Sequence, residues 1–169
     1  MITPPEPRSR ASRGFLDLNA HTVDTILTGP ADHYEEGGFV RRVVGIRGRR
    51  TGAIHSVPLA VVTLFGGNYL VSPQSERNWV RNLTSSPHCV VRGPDMSETR
   101  YAVRVIDRAR AAEIISTYLG LMNSPWTIEQ FPFGTGATLS QIQSKVDQAA
   151  VFELTQPAHR PATGNTLPN

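Results

Sequence analysis

Cysteine is nearly absent. Cys89 is the only one in 169 residues, so no intramolecular disulfide can form and a reducing, cytoplasmic setting is expected. It sits between apolar neighbours in "HCVVRG", which reads as an inert buried thiol rather than an activated one. No apolar run approaches the roughly 18 residues of a membrane span. The N-terminal "MITPPEPRSRASRG" has arginines but no apolar stretch, so no secretory leader is expected. The five histidines, at 21, 33, 55, 88 and 159, show no metal-ligand spacing, and no metal site is expected. Neither a G-x-x-x-x-G-K-S/T phosphate loop nor a G-x-G-x-x-G dinucleotide turn occurs. The G-x-S-x-G nucleophile elbow is missing too. Acidic residues are scattered, and the one adjacent pair, Glu35–Glu36, falls in a Gly- and Pro-broken stretch. Paired-carboxylate hydrolysis therefore has no support, and any chemistry is expected to come from a bound cofactor.

What is present fits one globular domain, with 39% hydrophobic residues and a formal charge of +3. Residues 1–14 and 156–169 are rich in Pro, Ser, Thr and Arg and read as flexible arms, leaving 15–155 as the folded domain. A short amphipathic helix is expected from Phe15 to Leu27. Strands follow at 39–47, 54–65, 68–72, 88–93 and 99–107, with "GG" at 66–67 as a two-residue hairpin connection. Trp79, Val80 and Leu83 fall at helical spacing within 75–87, before Pro87. Asp107 can cap a helix over 107–121 whose apolar face is Ala111, Ile114, Ile115, Tyr118 and Leu119. The stretch 122–138 reads as a loop. A helix over "LSQIQSKVDQAA" and a last strand at 151–155 close the chain. Successive strands without long helices between them argue against a doubly wound sheet. The expected fold is mainly β with flanking helices (α+β), an antiparallel barrel whose closure removes exposed edges.

Three stretches carry candidate chemistry. In "IRGRRTGAIH" the glycines 48 and 52 can supply positive φ to a plain hairpin tip with solvated arginines. The same turn can be an anion socket, with backbone amides forming a nest and Arg47, Arg49, Arg50 and Thr51 supplying donors. Pro58 cannot donate to a ladder, so its strand belongs to an edge, a bulge or an open ladder. In "ERNWVRNL" Arg77, Asn78, Arg81 and Asn82 form i, i+4 pairs. They are either a solvated helix face or a ligand-facing one anchored by Trp79.

In this order, "GRRTGAIHSVPLAVV", a hairpin, "YLVSPQSERNWVRNLTSSP" and "CVVRG…YAVRVID" resemble the deazaflavin-dependent nitroreductase family. Its pattern looks like T-x-G-R-K/R-S/T-G-x-x-R-x-V-P-L, a strand, and a W-x-x-N-L helix. The likeness covers about residues 40–107. It implies a split β-barrel, FMN-binding-split-barrel-like, that uses coenzyme F420. By that resemblance Arg47, Arg49, Arg50 and Thr51 would hold the cofactor's phosphate and acidic tail. Val57, Pro58 and Leu59 would lie against the deazaflavin ring, and Ser72, Trp79 and Asn82 would help form the groove, with Arg77 and Asn78 beside them. His55 stands where the family usually carries Arg, and Ala60 where some nitro- and quinone-reducing members carry Tyr.

The implied activity is hydride transfer from reduced F420 to an electron-poor small molecule, a quinone, enone or nitroaromatic. No catalytic side chain is assigned. Substrate contacts are expected from Tyr118 and from Trp126, Phe131 and Phe133 of a loop that could act as a lid. The rivals are an FMN-dependent enzyme of the same fold and a non-enzymatic cofactor or lipid carrier. Nucleic-acid binding ranks last, because no aromatics are interleaved with the arginines. A homodimer is expected.

Overall fold

The computed structural model describes residues 10–157, with side chains from Asn19 onward. The expected N-terminal arm and C-terminal tail lie largely outside the described residues. The first helix, α1, spans Arg10–Thr28 and so begins ahead of Phe15. Then come β1 (Gly38–Arg47), β2 (Ile54–Leu64), β3 (Gly67–Ser72), α2 (Asn78–Ser85), β4 (His88–Arg92) and β5 (Glu98–Val105). They are followed by α3 (Arg108–Met122), α4 (Pro125–Glu129), α5 (Leu139–Ser144), a 3₁₀ turn (Val146–Gln148) and β6 (Ala150–Thr155). The short α4 lies inside the stretch expected to be loop. Pro125 starts it, where a missing N–H costs nothing.

The strands close into an antiparallel barrel in the order β1-β2-β3-β6-β5-β4. Alternation along each strand sorts the side chains into two cores. Val44, Ile46, Val61, Leu70, Val91 and Phe152 fill the barrel interior, where Trp79, Val80 and Leu83 of α2 join them. Val62, Leu64, Tyr69 and Val151 face outward, beneath Ala112, Ile114 and Ile115 of α3. Asp107 caps α3 as its sequence suggested, its carboxylate accepting from the Arg110 amide at 3.0 Å, an interaction worth about 1 kcal/mol.

The barrel is closed but split beside Pro58. Strand β2 pairs with β1 from Ile54 to Thr63, yet with β3 only from Val61 to Leu64. Residues 54–60 therefore have one neighbour instead of two. The flanking pair of a two-residue hairpin, here Leu64 and Gly67, is hydrogen-bonded, and pairs alternate from there. Even-numbered residues of β2 thus turn their backbone groups toward the β3 side, which is open below Val61. The carbonyl of Thr63, an odd position, indeed faces the other way and accepts from the Gly37 amide at 2.8 Å. Pro58 lacks its N–H on the open flank, so the proline breaks no ladder bond. Of the three settings expected for it, the open ladder is the one found.

The hairpin turn itself sits one residue earlier than "GG" suggested. Phe65 (φ 55°) and Gly66 (φ 75°) form it, and Gly67 already belongs to β3. The carboxylate of Glu36 accepts from the amides of Phe65 at 2.5 Å and Gly66 at 3.0 Å. Two bonds to one anion hold a bulky residue in the left-handed region it ordinarily avoids.

Candidate functional site

The open flank of β2 borders a cavity of about 530 Å³. Its walls are the turn Gly48, Arg49, Arg50 and Thr51, the strand segment Ile54, His55, Ser56 and Val57, and Asn78, Trp79 and Asn82 of α2. Asn19 of α1 completes it. Eight of the residues singled out in the sequence thus meet in one place: Arg49, Arg50, Thr51, His55, Val57, Asn78, Trp79 and Asn82. Asn19, Ile54 and Ser56 were not foreseen. Asn19 comes from a helix distant in sequence, and no local pattern announces it.

Local geometry explains the turn. Gly52 takes φ +71° and its amide donates to the Gly48 carbonyl at 2.8 Å. Gly48 has a different setting. A Cβ there would stand 2.7 Å from Nε2 of the exposed His55, so a side chain would push the imidazole off the turn. Positive φ at both glycines is therefore not what the turn uses. The guanidinium of Arg47 lies over Gly52, Nη2 being 3.5 Å from the site of a Cβ. The amides of Arg50 and Thr51 donate to nothing among the described residues, which leaves two N–H groups of a nest available.

The electrostatics are one-signed. Among the described residues, no Asp or Glu lines the cavity. The ion pairs among the described residues join Arg42, Arg81, Arg92, Arg104, Arg108 and Arg110 to carboxylates, and none involves Arg47, Arg49 or Arg50. Arg49 is held by carboxamides instead. Its Nη1 donates to Asn82 Oδ1 at 2.8 Å and its backbone amide to the same oxygen at 3.2 Å, while Nη2 reaches Asn78 Oδ1 at 3.5 Å. Trp79 is 8% exposed, its ring tilted against Phe152 at 6.0 Å, and its Nε1 has no acceptor among the described residues. A buried donor without a partner costs about 1–3 kcal/mol.

The other singled-out residues lie elsewhere. Leu59 packs against the barrel interior and Pro58 stands on the open flank of β2 without lining the cavity. Ser72 is fully buried and bonds to Gln74, donating from Oγ to the carbonyl at 2.8 Å. Arg77 turns away from the turn and donates to Gln130 Oε1 at 2.6 Å. Burial lowers its basicity, and the neighbouring Tyr118 works against that. Tyr118, Phe131 and Phe133 are buried between α3 and the outer barrel wall, with ring centroids 5.9 and 5.6 Å apart along the series. Burial raises the Tyr118 phenol. Trp126 on α4 is 72% exposed. Phe131 and Phe133 thus cover the outer face of the barrel, and none of Tyr118, Trp126, Phe131 and Phe133 lines this cavity. Cys89 faces the barrel interior, where burial pushes its thiol up to about 12.

Among the described residues, no group of three or more His, Cys, Asp or Glu could hold a metal ion. No described helix is long and apolar enough to cross a membrane.

No protein-family model matches the chain, and no curated protein matches it. Solved structures do. The structure of an F420-H2-dependent reductase (FDR-A) is 16% identical over 74% of this chain and 100% of its own, with a TM-score of 0.45. A domain-swapped dimer is 14% identical over 86% of this chain and 96% of its own, with a TM-score of 0.47. The strand register defines the split barrel independently of these likenesses.

Proposed function

We propose that the protein is an oxidoreductase that binds coenzyme F420 in this cavity and reduces an electron-poor small molecule, a quinone, enone or nitroaromatic. The observation that carries the reading is that, among the described residues, no carboxylate pairs with Arg47, Arg49 or Arg50, while six other arginines are paired with one. A basic turn kept free of counter-charge suits a ligand with a phosphodiester and a carboxylate tail. The chain's residues also fit the rest of that group. The open flank of β2 offers hydrogen-bonding groups for a flat polar ring, and Val57 and the Trp79 indole offer apolar surface. In this reading Arg49, Arg50 and the free amides of Arg50 and Thr51 bind the anionic end, and Val57 and Trp79 orient the ring. Arg47 shapes the turn and adds charge at its rim. F420, when reduced, supplies the hydride; the protein supplies position and a cavity walled on one side by β2. The homodimer that the resemblance implies belongs to the same reading and is checked by light scattering.

Titration of purified protein with F420 and with FMN, followed by the ligands' own fluorescence, tests this. F420 is expected to bind far more tightly than FMN, whose single phosphate uses fewer of the arginines. Steady oxidation of reduced F420 by a panel of quinones, enones and nitroaromatics is then expected. FMN binding without F420 binding overturns the cofactor assignment. F420 binding with no turnover by any acceptor makes the protein a carrier.

A further inference from the structure

Asn82 is 8% exposed, on the turn of α2 that faces the basic loop, and its single carbonyl oxygen accepts twice from Arg49. Only the carbonyl end of a carboxamide can accept, so the two donors fix the orientation of the amide. Asn78 lies one helical turn earlier on the same face, its Oδ1 at 3.5 Å from the other guanidinium nitrogen. The alternative solution to holding an arginine is used six times among the described residues, and each time the acceptor is Asp or Glu. A carboxylate would hold Arg49 at least as firmly, through stronger charge-assisted bonds. It would also cancel the charge that a bound anion needs. We infer that Asn82, assisted by Asn78, is a positioning residue whose neutrality is its function: it locks Arg49 at the cavity wall while leaving the guanidinium's charge available to an anionic ligand.

The inference rests on the reading of the cavity as an anion site, and it specifies how that site combines rigidity with charge. Arg49 and Arg50 then differ in kind. Arg50 has no side-chain partner among the described residues, whereas Arg49 is held at both guanidinium ends. Arg49 is the pre-organised contact, which binds without losing rotamer freedom, and Arg50 is the adaptable one.

The test compares native protein with Asn82→Asp, Asn82→Ala and the exposed-site variant Asn78→Asp. Melting temperature and affinities for F420 and for inorganic pyrophosphate are measured at low and high salt. Asn82→Asp keeps the shape and both bonds, so its melting temperature is expected to match or exceed the native one. Its F420 affinity is expected to fall about 10-fold, from the lost attraction of roughly one charge. The salt dependence of binding should flatten, because salt screens fewer attractive charges. Asn82→Ala should lose affinity with the native salt dependence retained, since the charge remains and only its position is lost. Asn78→Asp should repeat the Asn82→Asp pattern more weakly, and it decides the matter if Asn82→Asp does not fold. Native-like binding of both ligands by the aspartate variants would overturn the inference. If native protein binds pyrophosphate but not F420, and the variants lose it, the cofactor reading falls and the positioning role stands. If native protein binds neither, both fall.

Discussion

Arg50 and Ser72 were singled out together in the sequence, yet they are opposites in the structure. Arg50 is exposed and has no side-chain partner among the described residues, so Arg50→Ala should leave stability within about 0.5 kcal/mol. The same change should weaken F420 binding about 10-fold. Ser72 is fully buried and bonded to Gln74. Ser72→Ala should cost about 1 kcal/mol of stability and leave F420 affinity alone. Paired melting and titration curves separate the two roles. Cys89 gives a prediction in pH. Its thiol ordinarily ionises near 9 and is raised to about 12 in the fold. A raised value means the folded state holds the proton more tightly, so this stabilisation is complete below pH 9 and is lost as pH rises toward 12. Tyr101 and Tyr118, also raised by burial, push in the same direction. The melting temperature should fall between pH 9 and 12, and less steeply in Cys89→Ala. A slope unchanged by that substitution would contradict the assignment. At this level the residue types were readable, but their partners were not. Nothing in "ERNWVRNL" says that Asn82 holds Arg49 while Arg77 turns toward Gln130.

Strand β2 joins the local pattern to the site. Its alternation and its proline were visible in the sequence, and together they required an edge, a bulge or an open ladder. Which of these applies depends on where β3 stops pairing, a property of two strands rather than one. The hairpin was placed one residue late for a related reason. "GG" is the stronger local signal, but Glu36, far upstream, supplies the carboxylate that holds Phe65 in the left-handed region. Glu36→Gln should therefore lower stability by about 1 kcal/mol, measured by urea denaturation, with no effect on ligand affinity. Helix α2 has the converse dependence. Its eight residues carry three cavity residues and bury Leu83 completely beside one of them, Trp79. Leu83→Ala should cost about 3 kcal/mol and weaken F420 binding as well, because α2 is held in place by that packing. Loss of stability with full affinity would show that the cavity does not depend on how α2 is seated.

The molecule as a whole is a barrel with an interior core, an outer core beneath α3, and a cavity where β2 runs past β3. Strand order around the barrel could not be read from the chain, because β6, last in sequence, inserts between β3 and β5. That long-range closure also gives part of the aromatic loop a packing role. With β3 and β6 adjacent, their outer faces need cover, and Phe131 and Phe133 supply it. The two tryptophans end in opposite environments, Trp79 lining the cavity with a buried unpartnered Nε1 and Trp126 exposed on α4. They make the central claim directly measurable. The chain has only two indole N–H groups, so a proton–nitrogen correlation spectrum of labelled protein contains two indole signals, assigned by Trp79→Phe and Trp126→Phe. Addition of F420 should move the Trp79 signal, because that indole lines the cavity and a bound aromatic ring changes its surroundings, and leave the Trp126 signal in place. A Trp79 signal that stays fixed at saturating F420 would contradict the cavity as the cofactor's site.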